Sequence, residues 1–414
     1  MTAGHPAWTW SDRLSRLDPR GWPWWLPALT VYAASRVLST VALIIVLRSQ
    51  EATAAMPQPS LPTFLGAWYD GTWYREVAEH GYPRVLPVDA SGAVTQNAWA
   101  FLPLYPALVR SLMVLTGGGW TLVAPLVSTL LGAVAVLLVH RVVTLGAPVA
   151  VAARPGLPLA TVALLSVYPA SLVLQAGYAE SLALLLIALA LLLVVLRRYL
   201  WTVPVALALG ITRPVALPLV LVIVVHGAVR WRAARSGADT WDRQVVTRLT
   251  VLAGAAAVSG VAWPVICGWV TGVGDGYVRT QQAWRGGRPI GPFEGWGPAV
   301  AGDPGKLLPT VALAVVVVGL LASPAARRLG PELYAWSVGY LGYLAAVLEP
   351  TSSLIRFGLL AFPLVAAVVG IIHGRRGRAR AWTVLVLLGS FVGQVLWLWW
   401  VWRYTPGDAW TPSP

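Results

Sequence analysis

Residues 178–198 read YAESLALLLIALALLLVVLRR. No charge interrupts the run between Glu180 and the pair Arg197 and Arg198. A helix needs about 20 mostly apolar residues to cross about 30 Å of hydrocarbon, so this stretch is predicted to span a membrane. Arginine pairs mark cytoplasmic ends, which orients it. Working outward, similar runs recur from Pro27 to Arg403, in a chain of 414 residues that is 57% hydrophobic and 11% charged, with mean hydropathy +0.69. Length alone would suggest two or three soluble domains. The composition instead gives an all-α, polytopic membrane protein, one transmembrane domain over 1–414 with about eleven transmembrane or half-helices.

The formal charge of +14 would point to nucleic acid in a soluble protein. Here the excess is arginine in short loops, which is a topological pattern, and no nucleic-acid partner is expected. Cys267 is the only cysteine, so neither a disulfide framework nor a thiolate metal site can form. His5, His80, His140, His226 and His373 are scattered without metal-ligand spacing. Arg13, Arg16 and Arg20 precede an apolar segment too long for a signal core, so the first helix is expected to stay in the protein.

With those N-terminal arginines in the cytoplasm, the basic loops fall on one side. Predicted spans run from about Pro27 to Leu47, Trp120 to Val143, Leu157 to Leu174, Tyr178 to Leu196, Thr247 to Val270, Leu307 to Ala322, Leu333 to Val347, Leu354 to Ile372 and Trp382 to Trp402. The apolar stretch from Leu200 to His226 has arginines on both flanks, so a single crossing cannot satisfy it. It reads as two half-helices broken at Gly210-Ile211-Thr212-Arg213-Pro214, where proline removes a donor. Phe101 to Arg110 is expected as an outer helix lying along or dipping into the membrane. The outer regions are then about 48–119, with short interfacial helices, about 272–306, and the turn from Glu349 to Arg356. The chemistry should lie where these meet. Many of the 23 tryptophans fall at predicted interfaces and read as anchors.

Within the first outer loop stands Trp68-Tyr69-Asp70-Gly71-Thr72-Trp73-Tyr74. A carboxylate ringed by aromatics near hydrocarbon is costly and marks a functional site. Gly71 lets the backbone turn, and a carboxylate set among aromatic walls suits a general base. Asp70 also suits a helix cap for the following stretch. Glu76 and Glu79 with Arg75 read as a solvated face. Glu180 sits at a helix N-terminus, where capping explains it and orientation of an acceptor hydroxyl or support for the catalytic loop is the functional alternative. Arg213 and Arg356 serve no topological purpose, and a guanidinium is well shaped for phosphate. For Arg356 the structural alternative is a pair with Glu349. Gly272-Val273-Gly274-Asp275-Gly276 lacks the lysine of a nucleotide loop, and Gly117-Gly118-Gly119 is a turn. Without a nucleotide-binding domain, a substrate carried on lipid is favoured over a sugar nucleotide.

These residues resemble, in order, motifs of the C-type membrane mannosyltransferases that take sugar from a polyprenyl-phosphate, and more narrowly bacterial relatives of the second mannosyltransferase of glycosylphosphatidylinositol-anchor assembly (PIG-V-like). The motifs are Trp68-Tyr69-Asp70 through Val77-Ala78-Glu79-His80-Gly81-Tyr82, Ala100 to Pro106, Tyr168-Pro169, Gly177 to Ser181, Thr212-Arg213-Pro214, and Arg356-Phe357 to Phe362-Pro363. The resemblance implies a hexosyltransferase of the plasma membrane with its N-terminus cytoplasmic and its active site on the outer face. It implies Asp70 as the catalytic residue, either the base or the carboxylate that orients the acceptor, in a single displacement at the anomeric carbon. Trp68, Tyr69, Trp73, Tyr105, Tyr178, Glu180, Arg213 and Arg356 would bind substrate. The implied partners are a polyprenyl-phosphate-mannose donor, a lipid or glycan acceptor, and membrane lipids. No cofactor is implied. The chemistry demands no metal and leaves room for a divalent ion at the phosphate. A lipid-linked-sugar transporter or flippase is the alternative from another class. It predicts inverted repeats, and no convincing repeat is visible. A non-catalytic scaffold would explain the helices and none of the outer motifs.

Overall fold

In hydrocarbon every backbone N–H and C=O needs a partner within the chain, so apolar runs resolve into helices. The structure is a computed structural model that describes residues 23–52, 59–301, 305, 307–374 and 376–404. His5, Arg13, Arg16, Arg20 and Arg375 lie outside the described residues, as do parts of the 48–119 and 272–306 regions. Among the described residues the fold is all-α, with one isolated antiparallel bridge between Val88 and Val94.

The helices are α1 Trp25–Arg48, α2 Leu61–Gly66, α3 Asp70–His80, α4 Leu104–Thr116, α5 Trp120–Gly146, α6 Leu157–Ser166, α7 Glu180–Val195, α8 Tyr199–Gly210, α9 Pro218–Arg235, α10 Arg243–Thr271, α11 Gly276–Trp284, α12 Leu307–Ala322, α13 Pro331–Val347, α14 Ser353–Gly358, α15 Phe362–Gly370 and α16 Arg376–Trp397, with very short helices between some of them. Among the described residues, five are long and apolar enough to cross a membrane: α1, α5, α10, the continuous stretch Ser353–Gly370, and Arg376–Trp402. The helix opened by the 178–198 run, α7, is central and buried along most of its length, packed on α5 and α8. In contrast α12 has no buried residue. An apolar helix with most of its surface open requires lipid around it.

The predicted break between Leu200 and His226 is present: α8 ends at Gly210 and α9 starts at Pro218. The segment between them is tied to the first loop by the Leu104 N–H, which donates to the Ile211 carbonyl at 3.0 Å. Residues 104–116 form the separate helix expected there.

One expected span is corrected. Residues 157–174 are not one helix: α6 stops at Ser166, and only a short 3₁₀ turn, Ser171–Leu174, follows. Pro169 has no N–H and pushes Tyr168 out of the helical region. The freed backbone is met from α1, where the buried Arg36 guanidinium donates to the carbonyls of Ser166 and, at 2.5 Å, Ser171. The tryptophans also divide. Trp99, Trp336 and Trp402 are fully buried rather than interfacial anchors.

Candidate active site

Asp70 is placed by three glycines. A Cβ on Gly71 would come within 2.7 Å of the Gly66 carbonyl oxygen, and one on Gly177 would do the same. Only hydrogen allows these three backbones to cross. The Gly177 N–H donates to the Leu65 carbonyl at 2.6 Å, and the Tyr178 hydroxyl donates to the Trp68 carbonyl at 3.1 Å. Trp68 in turn donates its indole N–H to the Trp402 carbonyl at 2.9 Å. The turn into α3 is made by Tyr69 at φ 49°, ψ −119°, a strained conformation for a residue with a side chain, of a kind that persists where surrounding contacts enforce it. Tyr69 occupies the N-cap position and no side chain caps the helix. The expected capping role for Asp70 is therefore replaced: its carboxylate points to another partner.

That partner is Arg356, whose Nη1 lies 2.5 Å from Asp70 Oδ2. Arg356 Nε is 3.3 Å from Glu180 Oε1, and Arg213 Nη1 donates to the same Glu180 oxygen. Side-chain exposure is lowest in the middle of this chain of charges, 0% at Glu180 and 4% at Arg356, and higher at its ends, 11% at Arg213 and 22% at Asp70. Asp70 is the accessible end, and its Oδ1 has no hydrogen-bond donor among the described residues. The immediate neighbour of the carboxylate is thus a guanidinium, not aromatic rings alone. Ala179 holds the N-cap of α7, so Glu180 spends its carboxylate on two arginines instead of capping. The Arg356–Glu349 pair is also corrected, because Glu349 binds Arg288 at 2.5 and 3.2 Å.

Asp70, Arg213 and Arg356 open onto a cavity of about 410 Å³, within the usual range of small-molecule sites, about 300–1,000 Å³. Its walls come from the first loop, the break between α8 and α9, the 272–306 region and the turn before Arg356. The three regions expected to meet do meet. Trp73 stacks on Phe101 at 5.9 Å, and Trp284 stands edge-on to both at 5.1 and 5.4 Å. Burial holds the Tyr69 and Tyr74 hydroxyls above the ordinary tyrosine range, which leaves them protonated. The Tyr69 hydroxyl and the Trp284 indole N–H are buried without a partner among the described residues.

Of the residues expected to contact substrate, Tyr69, Trp73, Arg213 and Arg356 line this cavity with Asp70. Glu180 lies behind it. Trp68, Tyr105 and Tyr178 sit in the packed wall: Tyr105 is fully buried and shares a 2.8 Å hydrogen bond with Ser128, which donates to the Tyr178 carbonyl. The Tyr178 ring lies under the Arg356 guanidinium at 5.2 Å. Sequence reasoning missed Gln281, Trp284, Arg285 and Arg288. A signal existed for the arginines, since they lie in a loop that the charge rule places outside. Among the described residues no three His, Cys, Asp or Glu side chains gather as a metal-ligand set.

No protein-family model and no curated protein matches the chain. Among solved structures, it is similar to the oligosaccharyltransferase of Archaeoglobus fulgidus, solved with a tethered acceptor peptide containing the NVT sequon, at 12% identity and a TM-score of 0.46. The similarity covers 94% of this chain and 56% of that one, so the chain spans little more than half the length of that enzyme.

Proposed function

We propose that the protein is a membrane glycosyltransferase that moves a sugar, mannose by the motif resemblance, from a polyprenyl-phosphate to a lipid or glycan acceptor on the non-cytoplasmic face. The observation that carries this reading is Asp70, with one oxygen fixed by Arg356 and the other unengaged at the wall of an aromatic, cationic cavity. Such a carboxylate suits a general base, because its position is set before substrate arrives.

In the proposed step the acceptor hydroxyl gives its proton to Asp70 while its oxygen attacks the anomeric carbon. The bond from that carbon to the phosphate oxygen breaks, and the electron pair leaves with the phosphate. Phosphate is a good leaving group, so no second acid is required, and Glu180 is free for the positioning role its burial gives it. The aromatic trio Trp73, Phe101 and Trp284 offers apolar ring faces for a sugar or the first isoprene units.

The test is transfer from radiolabelled polyprenyl-phosphate-mannose to native lipids by the purified protein in liposomes, with identification of the labelled product. Asp70→Asn is expected to lower transfer by about 100-fold or more, the range of a lost general base. Folding should survive, because Arg356 keeps Glu180. Wild-type turnover in this variant would remove Asp70 from the reaction.

A further inference from the structure

Each cation of the charged cluster is already committed. Arg213 and Arg356 face Glu180 and Asp70, two guanidiniums against two carboxylates, at ion-pair distance. A phosphate at either arginine would meet a carboxylate already at ion-pair distance, whose charge opposes its own, and at Arg356 it would compete for the anchor of the base. Across the same cavity the balance differs. Arg285 Nη2 donates at 2.5 Å to the Val347 carbonyl, a neutral partner, and among the described residues Arg285 has no carboxylate partner. Arg288 holds Glu349, and its own side chain is 48% exposed. Two cations and one anion leave a single positive charge over, which matches the single negative charge of a sugar phosphodiester.

We propose that Arg285 and Arg288, and not Arg213 or Arg356, form the subsite for the lipid-borne phosphate, with Glu349 occupying Arg288 until the phosphate arrives. The proposal rests on the transferase reading and names where its donor is held. Guanidinium pairs bind phosphate oxygens through paired N–H donors. When the glycosidic bond breaks, the phosphate gains a second negative charge, which Arg288, by then released from Glu349, faces together with Arg285. Arg285 also ties α11 to the end of α13 through Val347, so a ligand there would clamp two cavity walls together.

Binding can be measured without turnover, by equilibrium binding of radiolabelled polyprenyl phosphate to the full-length protein in detergent. Arg285→Gln is expected to raise Kd at least tenfold, Arg288→Gln several-fold, and Arg285→Lys to recover part of the loss. Glu349→Gln removes the competing carboxylate and should tighten binding. Arg279→Gln alters an exposed arginine that pairs with Asp275 outside the cavity and should change nothing. Unlabelled polyprenol and inorganic phosphate should compete weakly. Equal losses in Arg285→Gln and Arg279→Gln, weaker binding in Glu349→Gln, or equal competition by polyprenol would overturn the subsite, and equal competition by inorganic phosphate would overturn its lipid assignment. Arg285-dependent binding in a protein that transfers no sugar would uphold the subsite and sink the transferase reading. Transfer lost in Asp70→Asn with binding and donor KM unchanged in Arg285→Gln would do the reverse.

Discussion

At Glu180 two guanidiniums share one oxygen, and the side chain has no contact with solvent. Asp70 shares only Arg356 and reaches the cavity. The two acids therefore differ in what their loss should do. Glu180→Gln leaves two buried cations with a single carboxylate between them, and breaking a buried pair in this way costs about 3–5 kcal/mol. Thermal unfolding in detergent should show a large loss of stability in Glu180→Gln and little in Asp70→Asn; equal melting temperatures would contradict the positioning role. Asp70, Arg213 and Arg356 were legible in the sequence because each is a charge with no topological work to do. Arg285 and Arg288 carried the same signal. Glu349 was paired with the wrong arginine because proximity in sequence says nothing about which side chain crosses a cavity.

Among the elements, continuous helices were predictable and interrupted ones only partly so. The break at 211–217 announced itself through arginines at both ends of one apolar run. The break after Ser166 starts at Pro169 but is completed by Arg36, 130 residues away, whose donation to the Ser166 carbonyl no local pattern records. The loop between α9 and α10 shows a similar long reach. Arg230 holds Asp239 at 2.8 and 2.9 Å, Arg197 reaches it at 2.9 Å, and Arg230 also donates to the Tyr199 hydroxyl. Arginines to which the charge rule gives a topological part thus also clasp the hairpin. Hydrogen bonds from Arg230 above all hold the Asp239 carboxyl below the usual aspartate range. A depressed folded pKa means that the clasp contributes fully above the ordinary value of about 4 and is lost as pH falls through the folded one. The stability gap between wild type and Asp239→Asn, followed by thermal unfolding from pH 7 downward, should stay constant to about pH 4 and then narrow; a constant gap down to pH 2 would contradict the clasp.

For the whole molecule, the outward faces are apolar where a soluble protein would be charged. Val37, Val41 and Ile45 on α1, and Leu122, Leu126 and Leu130 on α5, are all exposed at helical spacing, as lipid contact requires. The cavity draws on loops that the alternation of arginines places on one side, while Ser236 lies among the basic connections of the other. Cys267 is buried, so single cysteines introduced as Ser91→Cys and Ser236→Cys, in a Cys267→Ser background, should react with a membrane-impermeant maleimide from opposite faces. Labelling from the same face would refute the topology. The sequence alone determined the all-α membrane architecture and the regions that converge, because the cost of burying charge and unpaired backbone in hydrocarbon is read residue by residue. Which arginine holds which carboxylate, and which is left for a ligand, was decided only when helices distant in sequence packed together, since an ion pair depends on separations of a few ångströms that no linear pattern encodes.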